Sequence, residues 1–196
     1  MLYEFDRKFR EKYKIIAGVD EAGRGPLAGP VVAAAVILPE NFNENLINDS
    51  KKLSPEKREK AFFLIKKNAI SFAVTSIPNS TIDRINILNA TKLAMKKSIL
   101  KLKITPDIVL IDGNTYVNSG LKEKTIKQGD SRSLSIAAAS IVAKFIRDKI
   151  MEKYSKIYPE YEFEKHKGYP TKKHRELIKK FGTCKIHRLS FRLQNE

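Results

Sequence analysis

Two adjacent carboxylates, Asp20 and Glu21, follow an apolar run in the sequence. That run, residues 15–19, predicts a buried strand, on which neighbouring side chains point to opposite faces. The two acids therefore cannot share one core, and burying an unpaired carboxylate is costly. The pair requires water, or a cation held between it and another acidic group. We interpret the pair as part of a metal site.

A glycine-flanked arginine follows these acids, in the order Gly23, Arg24 and Gly25. Glycine lets the backbone approach a ligand closely, so that bare N–H groups can meet an anion beside the arginine guanidinium. The segment therefore predicts a phosphate site next to the metal site. The alternative interpretation is a solvated strand end followed by an ordinary glycine turn.

Two further acids stand at comparable places in the chain. Asp112 follows the apolar strand predicted at residues 108–111, and Asp130 lies just before a long helix that begins near Ser133. Ligands of open α/β sheets gather at strand ends, and sites made only of oxygen ligands favour Mg²⁺ or Mn²⁺. Such a cluster can activate water and stabilise the leaving oxygen of a phosphodiester, which is the chemistry of a nuclease.

Each of these two acids also has a purely structural interpretation. Asp112 is suited to an Asx turn before Gly113, and Asp130 is suited to the favourable position of an acid at a helix N-terminus. The sequence alone leaves both interpretations open.

The elements that must position these acids alternate between strands and helices, which predicts an α/β fold. Apolar runs predict strands at residues 15–19, 31–38, 72–77, 108–111 and 124–126. Capping and spacing signals predict helices at residues 55–68, from 133 onward and at 172–181, with one more whose buried face carries Leu88, Met95, Ile99 and Leu102.

Composition indicates the kind of ligand. The chain has 196 residues, of which 42% are hydrophobic, enough for one well-buried core and too few to favour two domains. Its formal net charge of +16 predicts a polyanionic partner, with nucleic acid first, although a lysine-rich solubilising surface would give the same charge. The single cysteine, the charged N-terminus and the lack of a long apolar stretch predict a cytoplasmic protein without membrane association.

Several further sequence blocks stand out along the chain: GVDEAGRGPLAGPVV (18–32), NDSKKLS (48–54), NILNATKLAM (86–95), IDGN (111–114), GDSRSLSIAAASIVAK (129–144), RD (147–148), HKGYPTKKH (166–174) and HRLSF (187–191). In this order, these blocks resemble those of the bacterial ribonuclease HII family, the type 2 branch of the ribonucleases H. The resemblance implies an RNase H-like mixed sheet flanked by helices with a small helical C-terminal part. We expect one domain over residues 1–196, with a catalytic core at about 14–158 and a substrate-contacting segment at 159–196.

The resemblance also implies an activity. Members of this family use Mn²⁺ or Mg²⁺ to cleave the RNA strand of RNA–DNA hybrids, and they cleave on the 5′ side of a single ribonucleotide embedded in duplex DNA. The products carry 3′-hydroxyl and 5′-phosphate ends. We expect this chain to act on the same substrates as a monomer.

Residue by residue, the family's catalytic and metal-binding acids fall on Asp20, Glu21, Asp112 and Asp130. One departure is visible, because the family usually has Lys-Gly-Asp at the fourth acid and Gln128 stands here in place of the lysine. The acid itself is intact.

The resemblance also implies a set of substrate contacts. The backbone of Gly23, Arg24 and Gly25 would read the ribose 2′-hydroxyl. Tyr169 would stack on the adjoining deoxyribose, so that a 2′-hydroxyl is required at one sugar and poorly tolerated at the next. Lys51 is a candidate phosphate contact.

Two alternatives remain at this point. The helix, Gly182 and basic segment near the C-terminus are compatible with a helix-turn-helix, which would make the protein a binding module without chemistry. The sister family, ribonuclease HIII, cleaves hybrids more broadly and carries an extra N-terminal substrate-binding domain, whereas only about a dozen residues precede the first predicted strand here.

Overall fold

The computed structural model describes residues 2–44, 46–47 and 53–193. Its centre is a five-stranded sheet of order β3-β2-β1-β4-β5. The strands are β1 (Ile16–Ala22), β2 (Val31–Ile37), β3 (Ser71–Ile77), β4 (Ile108–Asp112) and β5 (Glu123–Ile126). The helices are α1 (Leu2–Arg10), α2 (Pro55–Asn68), α3 (Asn79–Leu100), α4 (Leu134–Ile157), α5 (Phe163–His166) and α6 (Lys172–Phe181).

The sheet is mixed. Strand β1 pairs antiparallel with β2 and parallel with β4, while β2 pairs antiparallel with β3 and β4 pairs parallel with β5. Helices cover both faces, and the alternation along β2 shows how: Ala34 and Val36 pack with α2 and α4, whereas Ala33 and Ala35 pack with α3. The predicted mixed α/β sheet flanked by helices is confirmed.

Helix α4 packs very closely against the central strand. A Cβ atom built on Gly18 of β1 would lie 2.1 Å from the carbonyl carbon of Ser135 in the first turn of α4. The run Ala137 to Ala139 continues this contact with fully buried small side chains. These small residues let the long helix approach the sheet closely.

The N-terminal helix α1, which sequence analysis did not assign, holds the start of α4. Asp6 of α1 is buried and its Oδ2 accepts hydrogen bonds from the Ser135 backbone N–H at 2.8 Å and from the Ser135 hydroxyl at 2.7 Å. Burial raises the pKa of this carboxyl, and the hydroxyls of Ser133 and Ser135 lower it. An acid from a distant helix therefore accepts a hydrogen bond from one of the N–H groups that lack an intrahelical partner at the N-terminus of α4.

Several element boundaries differ from the prediction. The acids Asp20 and Glu21 lie inside β1 rather than after it, because β1 stays paired with β2 through Ala22. Asp112 is likewise the last residue of β4, not the first residue beyond it.

Helix α3 is kinked at Asn86, which has φ of 63° and whose Oδ1 accepts a hydrogen bond from the Asn89 N–H. The kink rotates one part of the helix relative to the other. Met95 and Ile99 are buried as predicted, but Leu88 is 45% exposed, so its assignment to the buried face is wrong. Leu102 lies beyond the helix end.

The C-terminal part is a small helical layer, as predicted. Thr171 caps α6 by accepting a hydrogen bond from the His174 N–H at 3.1 Å, and Gly182 follows the helix with φ of 78°. Tyr161 and Phe163 are buried with Leu27 of the β1–β2 connection. In the part of the chain that the structure describes, no helix combines the length and apolar character that crossing a bilayer demands.

We expect Gly18→Ala to destabilise the fold, because the added methyl group meets helix backbone, which cannot move aside cheaply. Overpacking of this kind costs about 3 kcal/mol, which lowers Tm by about 10 °C in a chain of this size. Thermal unfolding followed by circular dichroism measures the change. Gly25→Ala is the matched control, since no atom lies within 4 Å of a Cβ built there. Equal Tm values for the two variants would contradict the close approach of α4.

Candidate active site

A cleft of about 210 Å³ opens at the carboxyl ends of β1 and β4. It is lined by residues of β1, of the connection to β2, of β4, of α4 and of the loop before α6: Asp20, Glu21, Ala22, Gly23, Arg24, Gly25, Asp112, Ser140, Lys144 and Tyr169. Most residues singled out from the sequence are thus brought together, although they come from distant parts of the chain.

The parallel pairing of β1 and β4 brings Asp20 and Asp112 together. Val19 is paired with Ile111, so the acids that follow them lie at the same end of adjacent strands. Asp20 is buried, and its Oδ1 accepts a hydrogen bond from the Glu21 N–H at 2.7 Å. Burial raises the pKa of Asp20 well above its usual range, and the charges of Glu21 and Asp112 raise it further.

Glu21 is held differently. Burial raises the pKa of this carboxyl, the charge of Arg24 lowers it, and the charge of Asp112 raises it. The ion pair with Arg24 is long, at 3.5 Å between Oε1 and Nη1, and the arginine side chain is 53% exposed. Its compensation of the acidic charge is therefore modest.

The donor set fits a divalent cation. Asp20, Glu21 and Asp112 offer only oxygen, the ligand that Mg²⁺ and Mn²⁺ favour, and their like charges are mutually unfavourable without a counter-charge. Among the described residues, no three His, Cys, Asp or Glu side chains already stand in metal-ligand geometry. The fit rests on donor chemistry and charge.

Asp130 is placed near this group but does not line the cleft. It lies in the 3₁₀ turn Gly129–Ser131 before α4 and is buried. The preceding residue, Gly129, donates its N–H to Asp112 Oδ1 at 2.6 Å. Gln128, the residue that departs from the family pattern, adopts a left-handed conformation ahead of this turn. The backbone of this turn therefore contacts Asp112 directly, through the Gly129 N–H.

The two glycines of the Gly-Arg-Gly segment are needed for different reasons. Gly23 has φ of +96°, and a Cβ there would lie 2.0 Å from Nε of Arg147. Gly25 has no atom within 4 Å of the corresponding position and is exposed. Packing inside the protein thus requires a glycine at position 23, whereas Gly25 leaves open space at the cleft.

Tyr169 points a partly exposed ring toward the cleft. The residue is 38% exposed, and its ring centroid lies 5.6 Å from Lys144 Nζ and 5.7 Å from Arg147 Cζ. Its N–H donates to the His166 carbonyl at 2.9 Å, which fixes the backbone. The ring is therefore available to a ligand. Lys51 lies outside the described residues.

Sequence reasoning missed three polar residues of α4. Ser140, which hydrogen-bonds Asp20, and Lys144 line the cleft, and Arg147 lies behind it against Gly23. Lys144 also donates to Asp148 Oδ1 at 2.7 Å. The signal was available, because these three residues are spaced by four and then three and so lie along one face of the helix.

Comparison with known sequences decides the family. The sequence model described as "Ribonuclease HII" matches residues 17–194. The chain belongs to the ribonuclease HII family. The ribonuclease HII of Endomicrobium trichonymphae is 56% identical over 197 residues, which cover 100% of this chain and 94% of that one. The chain is therefore a ribonuclease H, a divalent-metal-dependent endonuclease of RNA–DNA hybrids, and the interpretation as a binding module without chemistry is wrong.

Solved structures agree with this ribonuclease HII assignment. Ribonuclease H2 of Pyrococcus horikoshii superposes with a TM-score of 0.77 at 28% identity, over 91% of this chain and 94% of that one. The structure of Bst-RNase HIII in complex with Mn²⁺ gives 0.73 at 21% identity, over 91% of this chain and 67% of that one, and shows the shared fold.

This ribonuclease HII chain also carries a buried histidine pair behind Tyr169. The Cys184 N–H donates to His187 Nδ1 at 2.9 Å, which leaves the His187 proton on Nε2. His187 Nε2 then donates to His174 Nε2 at 3.2 Å, and His174 Nδ1 donates to the Tyr169 carbonyl at 2.9 Å. The hydrogen bonds thus assign one neutral tautomer to each ring, and protonating His174 would set two donors against each other.

We expect this pair to make the ribonuclease HII fold sensitive to acid. Burial lowers the pKa of His174 to about 4, against 6.5 in the unfolded chain. Between pH 6.5 and about 4, the unfolded chain therefore binds a proton at His174 that the folded chain does not bind. The free energy of unfolding consequently falls as pH drops through this range. Lowering pH from 7 to 4.5 should remove about 2 kcal/mol through this residue. Urea unfolding at both pH values should show a smaller loss for His174→Gln. Equal losses would contradict the assignment.

For the cleft of this ribonuclease HII, we expect Gly25→Ala to separate activity from stability. Its methyl group enters open space, so Tm should stay within about 2 °C of wild type while hybrid cleavage falls about tenfold, since backbone approach to a ligand is blocked. Gly23→Ala should instead lower Tm, because of its positive φ and its contact with Arg147. Cleavage rates and thermal melts of both variants check this. Full activity of Gly25→Ala would show that no ligand approaches there.

Proposed function

We propose that the cleft around Asp20, Glu21 and Asp112 hydrolyses the phosphodiester on the 5′ side of a ribonucleotide, both in RNA–DNA hybrids and at a single ribonucleotide in duplex DNA. The observation that carries this proposal is the placement of three carboxylates at the ends of adjacent strands β1 and β4, beside a Gly-Arg-Gly turn whose Arg24 and Gly25 are exposed. Family membership supports the reaction class.

The acids would hold the divalent cation. Asp20, Glu21 and Asp112 supply the oxygen ligands, and Asp130 is the fourth acid in the proposal, supported by its position one residue from the Gly129 contact with Asp112. Bound Mg²⁺ or Mn²⁺ supplies positive charge that lowers the pKa of water and stabilises charge developing on the phosphodiester. The Bst-RNase HIII structure is a complex with Mn²⁺, which supports including Mn²⁺ here.

The same residues give the cation a role in stability. Burial and like charge raise the pKa values of Asp20 and Glu21, so the ionised acids are unfavourable neighbours. A dication that binds only the folded state would relieve this repulsion and stabilise the fold. Metal binding is thereby measurable without reference to cleavage.

Selection of the cleavage position would come from two sides of the cleft. N–H groups of the turn at Gly23 to Gly25 would donate to the ribose 2′-oxygen, and the Tyr169 ring would pack on the next sugar, where a 2′-hydroxyl disturbs the contact. The exposed ring of Tyr169 and the open space at Gly25 support these roles. Lys144, which lines the cleft, would attract the phosphate.

The high positive charge suits a duplex substrate, because lysines and arginines that meet phosphates release counterions. The phosphate contact of Lys51, the monomeric state, the cytoplasmic location and the division of the chain near residue 158 stay predictions.

The decisive experiment uses duplex DNA that contains one ribonucleotide, with Mg²⁺, Mn²⁺ or EDTA. We expect cleavage on the 5′ side of the ribonucleotide with either metal and none with EDTA. Asp112→Asn should fold normally and cleave at least about 100-fold more slowly, because the charge that holds the cation is lost. Added metal should also raise Tm of wild type more than that of this variant.

The matched control is Asp107→Asn, the same substitution at the opposite end of β4, where the exposed Asp107 accepts a hydrogen bond from the Ile15 N–H. This variant should keep wild-type cleavage and the metal-induced rise in Tm. Wild-type cleavage by Asp112→Asn would refute the active site. Cleavage at a position other than the 5′ side of the ribonucleotide would favour the broader HIII-like specificity.

A further inference from the structure

Arg188 is a fully buried arginine whose described side-chain hydrogen bonds all go to backbone carbonyls. Nε donates to the Gly29 carbonyl at 2.9 Å, Nη1 to that of Arg24 at 2.9 Å, and Nη2 to that of Gly23 at 2.6 Å. Within the described residues, no carboxylate lies at ion-pair distance from it. Burial lowers the pKa of Arg188 to about 9, which leaves it charged at neutral pH. A buried cation of this kind is expensive unless its hydrogen bonds are all made.

The carbonyls that Arg188 holds determine where the neighbouring N–H groups point. A trans peptide places C=O and the following N–H on opposite sides of its plane, and no peptide of the described chain is cis. When the Gly23 and Arg24 carbonyls turn inward, the N–H groups of Arg24 and Gly25 must turn outward. In the described residues these two N–H groups donate to no protein acceptor.

A second buried guanidinium supports the same loop from below. Arg147 donates to the carbonyls of Pro30 at 3.0 Å, Ala28 at 3.1 Å and Lys167 at 3.0 Å, and its Nε lies under Gly23. The loop between β1 and β2 thus turns carbonyls toward two cations inside the protein. Its outer side is left with N–H groups, and the positive charges of the two guanidiniums lie behind them. This polarity attracts an oxygen acceptor.

The Arg188 side chain is not what anchors the C-terminal segment. Asp83 of α3 accepts hydrogen bonds from the Leu189 and Ser190 N–H groups, at 3.1 and 3.0 Å. Asn79 Nδ2 donates to the His187 carbonyl at 2.9 Å, and the Arg188 N–H donates to the Leu27 carbonyl at 2.8 Å. Because backbone contacts already hold the segment in place, the guanidinium chiefly serves to orient the loop carbonyls.

We propose that Arg188 is a positioning residue for substrate selection, which orients the Arg24 and Gly25 N–H groups to donate to the ribose 2′-oxygen. The inference rests on the proposed function and deepens it. A ribose supplies the acceptor and a deoxyribose does not, so the preoriented N–H groups convert a difference of one oxygen into a difference in affinity. Arg188 itself touches no substrate.

The test compares binding of two duplexes in EDTA, where cleavage is prevented: DNA with one ribonucleotide and the same DNA without it. We expect Arg188→Gln to lower the preference for the ribonucleotide by about tenfold, the loss that accompanies one or two misplaced hydrogen bonds. Arg188→Lys should also lower it, because an ammonium cannot span three carbonyls as the planar guanidinium does.

Arg192→Gln is the matched control. Arg192 is exposed in the same segment, so its loss removes one positive charge without touching the loop. It should weaken binding to both duplexes equally and keep the preference. An unchanged preference in folded Arg188→Gln would overturn the proposal, as would an equal loss in the control.

A measurement on the wild-type protein keeps the proposal testable if neither Arg188 variant folds. Hydrogen exchange at the Arg24 and Gly25 amides should slow when the ribonucleotide duplex binds and stay fast with the all-DNA duplex. Equal protection by both duplexes would refute the role of these N–H groups. Failure of wild type to cleave the ribonucleotide duplex with Mg²⁺ or Mn²⁺ would refute the proposed function instead, whereas cleavage with unchanged preference in the variants would refute this inference alone.

Discussion

The close approach of helix α4 to strand β1 is the constraint on which the rest of the molecule depends. Because Gly18 has no side chain, the first turn of α4 lies almost against the strand backbone. This distance allows the Ser140 hydroxyl to reach Asp20, and it carries Arg147 under the loop that follows β1. Asp6 fixes the same turn from the far side. A helix one side chain further away would leave Asp20 without the Ser140 hydroxyl.

Charge is separated across the β1–β2 connection in an unusual way for a protein interior. Three acids crowd the strand ends on one side, and two arginines are buried on the other, with only backbone carbonyls as their described hydrogen-bond partners. Both groups cost folding free energy that the apolar layers must offset. These unfavourable contributions to folding lie where a ligand would meet the protein, which is the pattern expected when a binding site lowers stability.

The sequence was sufficient for elements with strong local signals. The helix at residues 55–68, the helix that begins near Ser133 and the apolar strands form where the sequence predicts them, because capping residues and apolar runs are local signals. The kink at Asn86 was missed because it depends on a short turn held by the Asn86 side chain. Helix α1 was missed because it is held by the tertiary contact between Asp6 and Ser135. The acids were found from their types, but the separate reasons for Gly23 and Gly25, and the role of Arg188, depend on contacts between distant segments that no local pattern contains.

The hydrogen bonds from Arg188 to Gly23 and Arg24 join residues 165 and 164 positions apart. During synthesis, the N-terminal strand and its acids leave the ribosome long before this arginine does. A nascent chain that ends before Arg188 can therefore contain every acid of the cleft while the loop beside them lacks the three hydrogen bonds that this arginine donates. The order of translation thus delays this support of the loop until Arg188 has been made, and a stop codon between the codons for Asp130 and Arg188 would remove it while leaving the acids in the chain.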